Sequence, residues 1–138
     1  AVIFNMSSQM AHISSPNSTV YGRTEHGVEG FTKALAVELA PQNIRVVSIA
    51  PTFVDTPLVQ RVVNTPERRA FVMDRIPMGM LATVEQIAAA AVYLASPAAG
   101  MTTGTSLAVD GGRTAQQRDT WSRPRCGRLG RGWRGGSR

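Results

Sequence analysis

Cysteine is nearly missing from this chain of 138 residues. Cys126 stands alone, which excludes an intrachain disulfide and a zinc site built on thiolates. That scarcity fits a reducing compartment, and the cytoplasm is the expected one. The two histidines, His12 and His26, have no companions at ligand spacing, so no metal is expected. Long apolar runs are missing as well. The longest, Ile87 to Ala95, is about half of the ~20 residues a membrane span needs. No basic stretch followed by an apolar one opens the chain, so neither a signal segment nor a membrane partner is expected. Charged residues are sparse at 17%, and no G-x-x-x-G-x-G run occurs.

The net charge of +6 belongs to one end. Residues 113–138 hold eight arginines and a single acid, Asp119, whereas residues 1–112 hold seven Lys/Arg against eight Asp/Glu. Beyond about Gln117 the hydrophobic periodicity disappears, and the Arg/Gly/Trp composition predicts a disordered tail over 113–138. Such a tail is able to neutralise nucleic-acid phosphates. Its mixture of Arg, Gly, Trp, Pro and Cys after a closing "VDGG" fits out-of-frame translation of GC-rich DNA better, so nucleic acid is not the expected partner.

What is present before the tail alternates between two periods. "AVIFNM" reads as a buried strand near 2–6 and begins as though in mid-strand, which predicts a fragment. From Thr19 to about Ala40, apolar Val28, Phe31, Leu35 and Leu39 recur at helical spacing, with Glu29 and Lys33 paired on the wetter side. Gly22, Gly27 and Gly30 inside this helix each cost about 1 kcal/mol relative to alanine, so close packing against a neighbour is expected there. Pro41 and Asn43 end the helix. "IRVVSIA", 44–50, is β-branched on both faces, as in a parallel strand covered on two sides. Residues 57–80, with prolines at 57, 66 and 77, read as irregular or short-helical. Thr83 and Gln86 form a capping box that opens a helix running to about Ala95, and "TSLAVD", 105–110, is a third strand. This order predicts an α/β fold, half of a doubly wound parallel sheet with right-handed crossover helices.

Three stretches carry candidate chemistry. Ser8 follows the first strand, Tyr21 and Glu25 share one helix face a turn apart, and "PTFVDT", 51–56, follows the second strand at its carboxyl end. Taken singly, each has a plain explanation: a strand-end hydroxyl bonding a loop amide, a helix-opening pair near a positive helix end, and a turn followed by a helix cap.

Taken together, "NMSSQM", Tyr21 thirteen residues after Ser8, "SIAPTFVDT" and "TGTSLAVDGG" resemble the short-chain dehydrogenase/reductase family, in its C-terminal half, over about residues 2–112. The resemblance implies a partial Rossmann-like domain over 1–112 and an NAD(P)-dependent oxidoreductase interconverting an alcohol and a carbonyl. It implies that Tyr21 trades the proton and Ser8 holds the substrate oxygen. Pro51, Val54 and Thr56 match the family's pattern for holding the nicotinamide carboxamide, together with Tyr21 on the cofactor side, while Thr52 replaces a glycine. Residues 57–80 would form a substrate lid, with Leu58, Val59, Val62, Phe71 and Met73 as its apolar wall. The family's glycine-rich pyrophosphate turn lies upstream of the equivalent of Ala1. The implied partners are NAD or NADP, a small alcohol or carbonyl, and further copies of the chain in a homo-oligomer.

One position departs from the family. Where a lysine one turn after the tyrosine favours the phenolate and holds the nicotinamide ribose, this chain has Glu25. Two unit charges about 5 Å apart interact by on the order of 3 kcal/mol at an effective dielectric of ~20, and a carboxylate acts with the opposite sign to lysine. The expectation is an inactive or severely impaired form. A non-catalytic remnant that serves subunit packing is the alternative.

Overall fold

The structure, a computed structural model, describes residues 1–116; of the disordered tail expected over 113–138, residues 117 onward lie outside the described residues, whereas 113–115 form a turn in which the Arg113 and Thr114 amides donate to Asp110. Strands β1 (Val2–Met6), β2 (Arg45–Pro51) and β3 (Thr105–Val109) form one parallel sheet in the order β1-β2-β3. Helix α1 (Thr19–Leu39) joins β1 to β2, and α2 (Pro57–Val62), α3 (Pro66–Met73) and α4 (Val84–Ala95) lie between β2 and β3. The expected α/β half-sheet is therefore the observed one. Residues 57–80 carry two short helices, each with a proline in its first turn and a threonine at its N-cap.

β2 is central, and every residue from Val46 to Pro51 is buried. Alternation sends Val47 and Ile49 to one face, where they meet Leu94 of α4 and Ala99, with Phe4 and Leu107 packed alongside. Full burial of a residue such as Ile49 or Leu94 stabilises by roughly 1.5–3 kcal/mol. Both halves of the α4 capping box form: Thr83 Oγ1 accepts from the Gln86 amide at 3.3 Å, and Gln86 Oε1 accepts from the Thr83 amide at 2.9 Å. At the other end of α4, Arg45 Nη2 donates to the Leu94 carbonyl at 2.6 Å, satisfying a carbonyl the helix leaves open.

The opposite face of the sheet is polar in its middle. Register aligns Asn5, Ser48 and Ser106 across the three strands. This row explains a difference from the sequence expectation for α1. The helix buries Glu29, Thr32 and Ala36, while Val28, Leu35 and Leu39 are half-buried and Phe31 is 57% exposed. Glu29, expected on the wetter side beside Lys33, is 7% exposed. A polar row needs polar partners, so α1 turns its Glu–Thr line inward. Thr32 Oγ1 accepts from Asn5 Nδ2 at 2.9 Å, and Ser48 Oγ donates to Glu29 at 2.8 Å. The close packing expected at the α1 glycines is not found: nothing comes within 4 Å of a Cβ placed at Gly27 or Gly30, and Gly22 meets only the Met10 carbonyl at 3.9 Å.

The segment from α2 to Leu81, expected as a lid, has its own small core of Val63, Val72, Ile76 and Leu81. The loop after β3 closes on it at Gly111, where φ is +60° and a Cβ would lie 2.7 Å from Ile76 Cγ2. A side chain there would be strained in the backbone and would collide with the lid.

Candidate active site

The site forms at the carboxyl ends of β1 and β2, where parallel α/β sheets open a crevice. The Ser7 amide donates to the Ile49 carbonyl at 2.9 Å, which extends strand pairing just past β1. The chain then turns through a single 3-10 turn, Gln9–Ala11, with Ser8 as its N-cap. Ser8 Oγ accepts from the Met10 amide at 3.1 Å, so its lone pair is used locally and its O–H proton is left for donation. Tyr21 stands in the first turns of α1 and is 51% exposed.

Ser8 and Tyr21 line one cavity of about 370 Å³. That volume suits a small organic ligand. Leu58, Val59, Val62 and Phe71 form its apolar wall. Met73 is not among the lining residues; it packs against the cluster of Val63, Val72, Ile76 and Leu81. Phe53 and Val72 complete the wall instead.

Pro51, Val54 and Thr56 do not line this cavity and sit beside it. Pro51 is the last residue of β2 and pairs with Val109, and Val54 makes an isolated parallel bridge to Ala82. Thr56 Oγ1 caps α2 by accepting from the Val59 amide at 3.3 Å. Thr52, Gln9, Arg75 and Arg113 do reach the cavity, although sequence spacing did not mark them as site residues. Thr52 Oγ1 and Gln9 Oε1 are buried without a hydrogen-bond partner among the described residues. Buried polar atoms in that state are rare. Thr52 did carry a signal, as the residue in place of a family glycine. The two arginines carried none, because they come from the end of α3 and from the turn after β3.

Behind the cavity, α1 sets two carboxylates one turn apart. Burial pushes the Glu25 carboxyl above its ordinary value of 4.5, and repulsion from Glu29 adds to the rise. Glu29 moves the other way. Burial alone would raise it, but the hydroxyls of Ser48 and Ser106 and the nearby His12 act against burial, and the carboxyl is held below 4.5. Ser106 Oγ donates to Glu29 Oε1 at 3.0 Å and lies 3.1 Å from His12 Nε2. His12 Nε2 stands 3.9 Å from the same carboxylate oxygen. His12 lies one residue past the turn that carries Ser8, so this cluster joins the Ser8 loop to α1, β2 and β3.

Among the described residues, no group of three or more His, Cys, Asp or Glu is placed to hold a metal ion, and no helix is long and apolar enough to cross a membrane.

A family model described as enoyl-(acyl carrier protein) reductase matches residues 1–114. The L-xylulose reductase of Bos taurus is 40% identical over 111 residues, which cover 80% of this chain and 46% of that protein. A 3-ketoacyl-(acyl-carrier-protein) reductase from Brucella melitensis, complexed with NADH, superposes with a TM-score of 0.73 at 43% identity, over 82% of this chain and 44% of that one. A gluconate 5-dehydrogenase from Burkholderia cenocepacia J2315, in complex with NADP, superposes with a TM-score of 0.80 at 28% identity, covering 84% and 46% of the two chains. The chain thus spans about half the length of the relatives it matches.

Proposed function

Because this chain belongs to the short-chain dehydrogenase/reductase family, we propose that it carries the substrate side of a site interconverting an alcohol and a carbonyl with NAD or NADP. The observation that supports this best is the meeting of Ser8 and Tyr21, thirteen residues apart in sequence, on one cavity with a lid above it. NAD(P), when bound, supplies or accepts the hydride. Pro51, Val54 and Thr56 fit its carboxamide end: they lie at the end of β2 and in the residues that follow it, and the Thr56 hydroxyl accepts from Val59 while its proton is left to donate. In the direction of reduction, the Ser8 O–H donates to the carbonyl oxygen and polarises it. Tyr21 then gives its phenolic proton to that oxygen, and the reverse transfer serves oxidation.

We infer that turnover is severely impaired. Glu25 stands where the family places the lysine, and a carboxylate there opposes a phenolate at Tyr21 and can only accept from a ribose hydroxyl. The assay is nicotinamide absorbance during carbonyl reduction, with cofactor binding measured in parallel. Glu25→Lys should raise the rate by on the order of 10²-fold, the scale of one restored acid–base component, and Tyr21→Phe in that background should abolish the gain. A Glu25→Lys protein that binds cofactor and still gives no turnover would favour a non-catalytic packing role.

A homo-oligomer and a cytoplasmic location belong to the same proposal. The outer face of α1 supports the oligomer, since Gly27 and Gly30 are open and Phe31 and Val37 are 57% and 77% exposed on that side. Small and apolar residues at helical spacing suit contact with a second helix.

A further inference from the structure

We propose that the substrate of this site carries an extended aliphatic chain, which runs from the Ser8–Tyr21 cavity into a second, apolar cavity beside α3. The inference rests on the Ser8–Tyr21 cavity being the substrate site proposed above. The second cavity has a volume of about 440 Å³ and is lined by Phe53, Val62, Glu67, Arg68, Phe71 and Val72. Phe53, Val62, Phe71 and Val72 line the first cavity as well, so the two volumes adjoin along a seam of apolar side chains. Phe53 follows β2, Val62 ends α2, and Phe71 and Val72 belong to α3, so the seam exists only in the folded chain.

Polarity falls from one cavity to the other. The first presents the hydroxyl-bearing side chains of Ser8 and Tyr21, which suit the alcohol or carbonyl end of a ligand. The second is lined by no hydroxyl or amide side chain. Its two charged residues are exposed: Glu67 stands in the first turn of α3, where a helix end favours an acid, and Arg68 Nη1 donates to Asn64 Oδ1 at 3.4 Å. A polar group entering this volume would lose water and find no buried side-chain partner. An aliphatic one would cover Val62 and Phe71, which are 46% and 58% exposed at the seam. Val72 is buried in the small core with Val63, Ile76 and Leu81, so one member of the seam is anchored. Two adjoining lobes, polar then apolar, fit a flexible chain with its hydroxyl or carbonyl near one end better than a compact ligand.

The test titrates 2-alkanols of four to ten carbons into the whole chain by ligand-observed NMR, with 1,9-decanediol beside 2-decanol. Each added methylene should tighten binding by about fourfold up to the longest member, the scale of one buried CH₂. The second hydroxyl of the diol should weaken binding about tenfold, because it would be buried without a partner. Both comparisons use the unaltered chain. Arg68→Trp, which puts an indole at the second cavity, should weaken 2-decanol about tenfold more than 2-butanol. Ser8→Ala should weaken every member of the series. Affinity that stops rising at the short members, or a diol that binds as well as 2-decanol, would overturn the aliphatic assignment; if Ser8→Ala still weakens all members, the substrate site stands. Arg68→Trp that lowers the sedimenting mass of the chain and leaves alkanol affinity untouched would give the second cavity to another copy of the chain and overturn the inference. Binding untouched by Ser8→Ala would overturn the site itself and the inference with it.

Discussion

Glu25 and Glu29 sit one turn apart on α1, yet their surroundings treat them oppositely. Glu29 lands over the polar row of the strands and receives hydroxyl protons from Ser48 and Ser106. Glu25, a turn closer to the cavity, has burial and the charge of Glu29 acting on it, and both disfavour its ionised form. A buried carboxylate is a structural member where hydroxyls converge on it and a liability where they do not. The same helix thus carries a satisfied joint and, next to it, an acid at the position where the family's chemistry calls for a cation.

Removing the satisfied member should have the largest effect. Glu29→Ala leaves the Ser48 hydroxyl, which is fully buried, and the Ser106 hydroxyl without their acceptor, at a cost of about 2–4 kcal/mol in urea unfolding. A loss under about 1 kcal/mol would break the contrast. The Glu29 contribution also has a pH signature. Its folded carboxyl titrates below the ordinary 4.5, so its stabilisation is present above 4.5 and disappears as the pH falls through the folded value. Glu25 runs the other way. Its folded carboxyl titrates above 4.5, so its ionisation costs stability at neutral pH, and the cost is relieved as the pH falls through that raised value. Stability should therefore rise slightly on mild acidification before it collapses below 4.5. Glu25→Gln should erase the rise and leave the collapse.

Smaller effects sharpen the contrast further. His12→Ala should cost about 0.5–1.5 kcal/mol, the worth of one hydrogen bond, through loss of its contact with Ser106. Because His12 adjoins the Ser8 turn, amide hydrogen exchange at Met10 and Ala11 should quicken in the same variant, while exchange in α4 stays unchanged. Smallest of all, Glu25→Gln should stabilise by about 0.2–0.5 kcal/mol at neutral pH, the scale of a like-charge pair one helical turn apart. A destabilised Glu25→Gln protein would mean that Glu25 has a stabilising partner.

Much of the site could be read from residue spacing, because spacing is local geometry. Tyr21 and Glu25 share a face through the helical repeat alone, and Thr83 with Gln86 announces a capping box from four residues. The burial of Glu29 is hidden from the sequence for a related reason. Periodicity assigns polar residues to the outer side of a helix, and it cannot register that Asn5, Ser48 and Ser106 line up beneath α1, since that alignment depends on strand pairing. His12 was set aside for want of ligands nearby in sequence; its neighbour Ser106 is ninety-four residues away.

The sequence by itself determined the order of strands and helices, their caps and breaks, the membership signalled by Ser8, Tyr21 and the later motifs, and the presence of an acid at position 25. These follow from interactions that span one or two turns, or from residue types at set distances along the chain. Tertiary structure alone decided which face of α1 is buried, that Met73 packs against Val63, Val72, Ile76 and Leu81, and that Ser8 and Tyr21 line one cavity with Arg75 and Arg113. Those outcomes depend on strand register and on how the lid packs over the sheet, and local propensity carries no information about either.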